Sequence, residues 1–221
     1  MNFDIIATGS QGNAVVLNRN ILIDCGVPFS KLAQVKKDLK LVLLTHRHGD
    51  HFNPRTVRAL HKERPTLRWG CCEWMVEPLV TAGVDKRVID VFTPGYCMVY
   101  HDLYTIQPAA LVHDVPNCGY HIWINSESIF YATDTATLAG VSAPGYTLYL
   151  IEANHKADEL EARKAEKVAA GEFAYEFRVE GTHLSEAQAL DWLGQNAGPN
   201  SLYVFLHQHQ ERKAAPLQGE L

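Results

Sequence analysis

Thr45-His46-Arg47-His48-Gly49-Asp50-His51 follows the apolar run Leu41-Val42-Leu43-Leu44. A short apolar run of this kind reads as a buried strand. Three imidazoles and a carboxylate therefore stand close together in sequence where a strand ends. Imidazole nitrogen and carboxylate oxygen are ligands for zinc, manganese or iron. Side chains of extended backbone alternate with period two, so His46 and His48 point to one side and can reach one cation. Asp50 and His51 lie past the turn at Gly49 and can reach a second cation beside it. A solvated loop that happened to be rich in histidine would need neither the strand before it nor a carboxylate at this offset.

The chain has 221 residues, 47% hydrophobic and 10% aromatic, which suffices for one sizeable core. The expectation is a single domain over residues 1–211 and a frayed tail over 212–221, where apolar residues thin out. A net charge of −5 argues against a generally basic, nucleic-acid-coating surface but leaves room for a local basic groove. No apolar run approaches the roughly 20 residues of a membrane-spanning helix. Met1-Asn2-Phe3-Asp4-Ile5-Ile6 lacks the basic start and long apolar core of a signal peptide. A cytoplasmic protein with no membrane partner is expected. The cysteines Cys25, Cys71, Cys72, Cys97 and Cys118 are odd in number and form no C-x-x-C pair, so reduced thiols are expected rather than a disulfide framework. Cys118 stands near His113 in sequence, and packing is its simpler reading.

Strands are read at residues 3–8, 14–17, 21–24, 68–71, 88–92, 98–100, 103–111, 120–125, 128–132, 148–151 and 202–206, in addition to 41–44. Helices are read at 28–35, 53–62, 73–82, 155–171 and 186–195. Asn53-Pro54 is a helix start, asparagine as N-cap and proline in the first helical position, and it sets rigid backbone directly behind Asp50 and His51. Ser185 and Gln188 read as a capping box. Pro78 disturbs the helix around it, and Pro108 suits an edge position in its strand. Residues 173–180 read as a connecting stretch, in which Arg178 is either a partner for an anionic substrate or an ordinary surface arginine. Several strands run into metal-ligand chemistry: Val112-His113-Asp114, Thr133-Asp134-Thr135, Glu152-Ala153-Asn154-His155 and His207-Gln208-His209. His101 and His121 compete with His113. The alternative for Asp134 is the N-cap of a short helix, and His155 reads as site rim or helix start.

His46-x-His48-x-Asp50-His51 after a hydrophobic strand resembles the signature of metallo-β-lactamase-fold hydrolases. The turn Gly9-Ser10-Gln11-Gly12-Asn13 and the strand end Leu22-Ile23-Asp24-Cys25-Gly26 are similar to those of its small bacterial exodeoxyribonuclease-like branch. Gly181-Thr182-His183-Leu184-Ser185 before a helix is similar to a segment of tRNase Z and its relatives. The matching stretches run from Gly9 to His207, nearly the whole chain. The resemblance implies an α/β fold, a four-layer αββα sandwich of two mixed sheets with helices outside. It implies two divalent metal ions, zinc foremost, with manganese or iron as alternatives. One would be held by His46, His48 and His113 and the other by Asp50, His51 and His207, with Asp134 shared between them. His209 is the same-side alternative to His207. Asp24 would steady a ligand from behind.

On that reading the protein is a binuclear hydrolase with Asp50 and His183 as its catalytic candidates. It would be a phosphodiesterase acting on nucleic-acid ends or on small or cyclic nucleotides. A water bridging two dications loses its proton near neutral pH and becomes the nucleophile, while His183 protonates the leaving oxygen. The chain lacks an obvious inserted arm for gripping tRNA and the large inserted domain of RNA- and DNA-processing relatives, which argues against a grip on long polymers. The rivals are a non-phosphate hydrolase of the same fold, cleaving a thioester, lactone or β-lactam, and a non-catalytic metal-binding protein. The complete ligand set argues against the latter. The oligomeric state stays open, a homodimer included.

Overall fold

Strands with apolar residues on both faces must be covered on both faces, and the chain solves this with four layers. The computed structural model describes residues 2–100 and 104–208. The expectations for His101, for His209 and for the tail at 212–221 fall outside them. One sheet takes β1 (Phe3–Ala7), β2 (Ala14–Leu17), β3 (Ile21–Ile23), β4 (Leu41–Leu44), β5 (Arg68–Cys72) and β6 (Ile89–Phe92), in sequence order. The other takes β7 (Met98–Tyr100), β8 (Tyr104–Leu111), β9 (Asn117–Ile124), β10 (Glu127–Ala132), β11 (Leu148–Glu152) and β12 (Leu202–Leu206), again neighbour to neighbour. Both sheets are mixed: β1 to β3 are antiparallel and β3 to β6 parallel, while β7 to β10 are antiparallel and β10 to β12 parallel.

Alternation along the strands divides the core into three. Ile21, Ile23, Leu41 and Leu43 face Ile122, Ile129, Tyr131, Leu148 and Leu150 between the sheets. Leu22, Val42 and Leu44 point the other way, onto Val57 and Leu60 of α1 (Pro54–Glu63) and Leu79 of α2 (Val76–Thr81). Phe130, Tyr149 and Ile151 on the outer face of the second sheet meet Ala189, Trp192 and Leu193. Those three residues belong to α5 (Glu186–Asn196), which follows α3 (Ala157–Ala170) and α4 (Glu176–Thr182). The result is the αββα sandwich. Among the described residues, no helix is long and apolar enough to cross a membrane. All five cysteines are free thiols.

Local rules set most boundaries. Asn53 caps α1, accepting from the amides of Arg55 and Thr56, with Pro54 at the first helical position. Ser185 and Gln188 form the expected capping box of α5. Three expectations are corrected. Residues 28–35 hold only a 3₁₀ turn, Phe29–Leu32, too short a stretch of periodic apolar residues to extend it. Residues 173–180 are not merely a connection, because α4 begins within them. Pro108 is not on an edge strand: β8 lies between β7 and β9. β7 pairs only with the start of β8, however, so Pro108 lies beyond its reach and its missing N–H interrupts no ladder.

The loop after β4 is fastened by close backbone approach. Asn13 N donates to the carbonyl of Asp50 (2.6 Å), Cys25 N to that of His51 (2.8 Å), and Asn53 N to that of Cys25 (2.9 Å). A side chain at Gly26 would meet the Asp50 carbonyl oxygen at 1.7 Å and the His51 amide nitrogen at 2.7 Å. Glycine is required there by space alone. Gly26→Ala is expected to cost about 3 kcal/mol or more, as overpacking against backbone does, read as a fall in the denaturation midpoint. An unchanged midpoint would show that the loop can retreat.

Candidate metal centre

Every candidate ligand stands at or just past the carboxyl end of a strand. Parallel β3 and β4 present Asp24 and the His46–His51 loop, while β8, β10, β11 and β12 present His113, Asp134, Glu152 and His207. Ligand sites in parallel sheets collect at this edge because the strands all end there. Asp24, Asp134 and His207 adopt left-handed backbone, with φ of 60°, 56° and 52°. Each turns its strand end sharply, and a non-glycine residue there carries strain of about 1–3 kcal/mol.

On the first sheet, Asp24 is fully buried and its carboxylate accepts from the Thr45 amide and hydroxyl and from His51 Nδ1 at 2.6 Å. With Nδ1–H committed to Asp24, His51 Nε2 is aimed at Asp134 Oδ2, 2.8 Å away. On the second sheet, His113 Nδ1 donates to the Thr182 carbonyl (3.0 Å), which leaves its Nε2 3.3 Å from His48 Nδ1. Asp134 is 2% exposed, and its Oδ1 lies 3.5 Å from His207 Nε2. His207 Nε2 also lies 3.4 Å from Asp50 Oδ2.

The sequence-predicted ligands thus converge as two sets. His46, His48 and His113 bring ligand atoms within 4.8 Å of one another, and so do Asp50, His51, Asp134 and His207. The donors fit divalent cations on this geometry. His46 Nε2 is buried and has no hydrogen-bond partner. Two ring nitrogens 3.3 Å apart make a poor hydrogen bond, but they match the edge of a tetrahedron whose centre is about 2.0–2.1 Å from each.

Electrostatics point the same way. Burial, reinforced by His51, pushes the His46 pKa far down, and burial lowers that of His113 despite Asp134 and Asp114. Both rings are neutral and able to ligate. Burial opposes ionisation of Asp134, yet His51 and His207 outweigh it and hold the carboxyl well below its usual range. Asp50 is held low in the same way by its hydrogen bond with His207 and the charge of His51. Burial also opposes charge on His51 and His207. For His51 the neighbours Asp134 and Asp24 win, and for His207 Asp134, Asp50 and Glu152 push the pKa up to about 10.

Glu152 is the residue that sequence reading undervalued. It is fully buried, and a third set of ligand-type atoms joins it to Asp134, His183 and His207. His183 Nδ1 donates to Glu152 Oε1 at 2.6 Å, and the amides of Thr135 and Leu184 donate to Oε2. His183 is therefore clamped at the pocket wall. The signal was an acidic residue at a strand end, opening the stretch Glu152-Ala153-Asn154-His155 whose histidine reads as site rim or helix start. Asp114, 3.3 Å from His48 Nε2, was also missed as a contact of the site. Asn13 of the glycine turn reaches in as well, its Nδ2 2.8 Å from His51 Nε2. Other candidates fall away. His155 forms a bridge with Ser185 and joins none of the three sets. His121 stacks on Trp123, and Cys118 packs beneath the Thr45 carbonyl.

Residues 19–207 match the model of the beta-lactamase superfamily domain, so the chain belongs to that superfamily. It is 30% identical over 177 residues to exodeoxyribonuclease WalJ of Streptococcus pneumoniae, covering 72% of this chain and 64% of that protein. It is 23% identical over 179 residues to exodeoxyribonuclease YycJ of Bacillus anthracis, covering 72% and 65%. The chain thus spans less than two thirds of the length of these curated relatives. In fold it is similar to the short form of human tRNase Z, with a TM-score of 0.70, 15% identity and coverage of 94% and 93%. The metallo-beta-lactamase fold protein YhfI of Bacillus subtilis superposes with a TM-score of 0.68 at 18% identity, covering 95% and 86%.

Protons on His51 and His207 occupy the nitrogens that a cation would take. Zinc uptake near neutral pH is expected to release one to two protons per chain, and zinc affinity is expected to fall as pH falls. Calorimetric titration in buffers of different ionisation enthalpy measures the release. A binding enthalpy independent of buffer would contradict it.

Proposed function

We propose that the chain is a binuclear metal-dependent phosphodiesterase, acting in the cytoplasm on nucleic-acid ends or small nucleotides. The observation that carries the proposal is the abutment of the two ligand sets with His183, held by Glu152, on one wall of the same pocket. One cation would be held by His46, His48 and His113 and the other by Asp50, His51 and His207, with Asp134 between the two. When bound, divalent cations supply Lewis acidity toward phosphoryl oxygens and make coordinated water acidic. Zinc suits the imidazole-rich donor set, and manganese or iron remain compatible. Residues 1–211 would form the single domain that houses this site.

The chain's own groups divide the remaining work. Asp24 orients His51 and Thr182 orients His113, each by fixing the Nδ1 proton so that Nε2 faces the centre. Asp50 lines the pocket as an ionised carboxylate and can accept a proton from the attacking water. His183, with Nδ1–H on Glu152, presents its other nitrogen for the leaving oxygen. The carboxylate behind the ring fixes its orientation, so that the nitrogen opposite Nδ1 is held at the pocket wall. Family relatives named as exodeoxyribonucleases favour the phosphodiester over the acyl substrates of other superfamily members.

Two measurements test the reading. Purified protein is expected to carry close to two metals per chain, and Asp134→Ala to lower that content sharply, as read by plasma mass spectrometry. A full load in the variant would exclude Asp134 as the shared carboxylate. The zinc-loaded protein is also expected to hydrolyse bis(p-nitrophenyl) phosphate faster than thioester, lactone or β-lactam probes. His183→Ala is expected to lower kcat by about 10²-fold or more with metal retained, the usual scale for loss of a general acid. Activity confined to acyl probes would overturn the assignment.

A further inference from the structure

The pocket over the centre continues past it. A main pocket of about 400 Å³ and an adjoining depression of about 200 Å³ share Ser10, Asn154 and His207, so one groove crosses the site. At one end of the groove the lining is Gly9, Gln11 and Gln208, polar and uncharged. The other end is walled by α4, which brings Tyr175, Arg178 and Val179 to the pocket and is capped by His183.

Two side chains on this wall have nucleic-acid chemistry. Arg178 is 68% exposed and its guanidinium pairs with Asp114. A solvent-exposed pair of this kind contributes little stability, and a guanidinium fork fits phosphate oxygens as well as a carboxylate. Tyr175 has Lys167 Nζ 4.4 Å from its ring centroid, and Lys167 is itself held by the buried Glu176 at 2.7 Å. The ring is thereby fixed on one side while the residue remains 40% exposed. A fixed, exposed aromatic ring is a stacking platform for a base, whatever its identity.

We propose that the α4 wall binds the leaving portion of a single-stranded nucleic acid, Arg178 taking the phosphate beside the scissile one and Tyr175 stacking on the leaving base. The side of the groove follows from His183. As proton donor it must face the leaving oxygen, so the leaving nucleotide lies along the helix that His183 caps. This rests on the phosphodiesterase reading above. The competing account is structural: Arg178 holds Asp114, and Asp114 holds His48 by its Nε2 at 3.3 Å.

The zinc-loaded full chain is compared with Arg178→Leu, Arg178→Lys, Tyr175→Leu, Tyr175→Phe and Asp114→Asn. Steady-state kinetics use a single-stranded DNA oligonucleotide and bis(p-nitrophenyl) phosphate. Binding of a fluorescein-labelled, cleavage-resistant phosphorothioate oligonucleotide is followed by anisotropy across a salt series. Arg178→Leu is expected to raise KM for the oligonucleotide about tenfold more than KM for the small diester, with Arg178→Lys intermediate. The slope of log Kd against log salt should shrink by about 0.7, one phosphate contact on a single strand. Tyr175→Leu should weaken oligonucleotide binding about fivefold or more, and Tyr175→Phe should restore it. Equal effects of Arg178→Leu on both substrates, reproduced by Asp114→Asn together with metal loss, would overturn the proposal in favour of the structural account. Indifference of oligonucleotide KM and Kd to both leucine variants would also overturn it. A wild-type chain inert toward both diesters would fell the phosphodiesterase reading and this proposal together, whereas an active wild type with indifferent variants fells the proposal alone.

Discussion

The architecture turns on a carboxylate that water never touches. Asp24 accepts from the amide and hydroxyl of Thr45, from Nδ1 of His51 and, at 3.3 Å, from the hydroxyl of Tyr131. Thr45 and His51 belong to the loop after β4, and Tyr131 belongs to β10 of the opposite sheet. One side chain therefore ties a strand end, the histidine loop and the facing sheet together. A buried carboxylate without such partners would cost several kcal/mol, so the partners and the carboxylate enforce each other's positions. His51 in turn inherits its orientation from Asp24, and Asp134 lies against the far nitrogen of the same ring.

This arrangement makes the cluster a joint property of both sheets. His46, His48, Asp50 and His51 come from the end of β4, while His113, Asp134 and His207 come from the ends of β8, β10 and β12. The apolar layer between the sheets sets their separation, and the strand ends then set which side chains can meet. Packing and chemistry are coupled through that layer. A change in Ile23 or Leu43, remote from any polar group, would alter the distance between halves of the cluster.

Much of this was legible in the chain itself. Apolar runs such as Leu41–Leu44 and Leu148–Ile151 located strands to within a residue, because buried strands can hold little else. The spacing of His46, His48, Asp50 and His51 marked the loop around which the ligand-type side chains cluster. Asn53-Pro54 and Ser185 with Gln188 marked helix starts because their chemistry is local. What was not legible depends on distant partners. Nothing in the residues around Glu152 distinguishes a solvated acid from a buried clamp for His183, thirty-one positions away. α4 escaped because its seven residues, Glu-Phe-Arg-Val-Glu-Gly-Thr, present no apolar period. Pro108 misled because the shortness of β7, which makes it tolerable, is a tertiary fact.

The left-handed turns at Asp24, Asp134 and His207 have a consequence for how such a centre varies. Aspartate tolerates that backbone region better than most side chains, because its short acceptor can bond locally. At positions 24 and 134 the demand of the main chain and the demand for a carboxylate select the same residue, so the two sites are doubly constrained. Position 207 obeys the same rule, since histidine is also enriched in that region, and glycine at any of the three would relax the peptide and delete the side chain. Substitutions that relieve tension at these turns would yield a sturdier molecule with fewer ligand-type groups gathered at the strand ends.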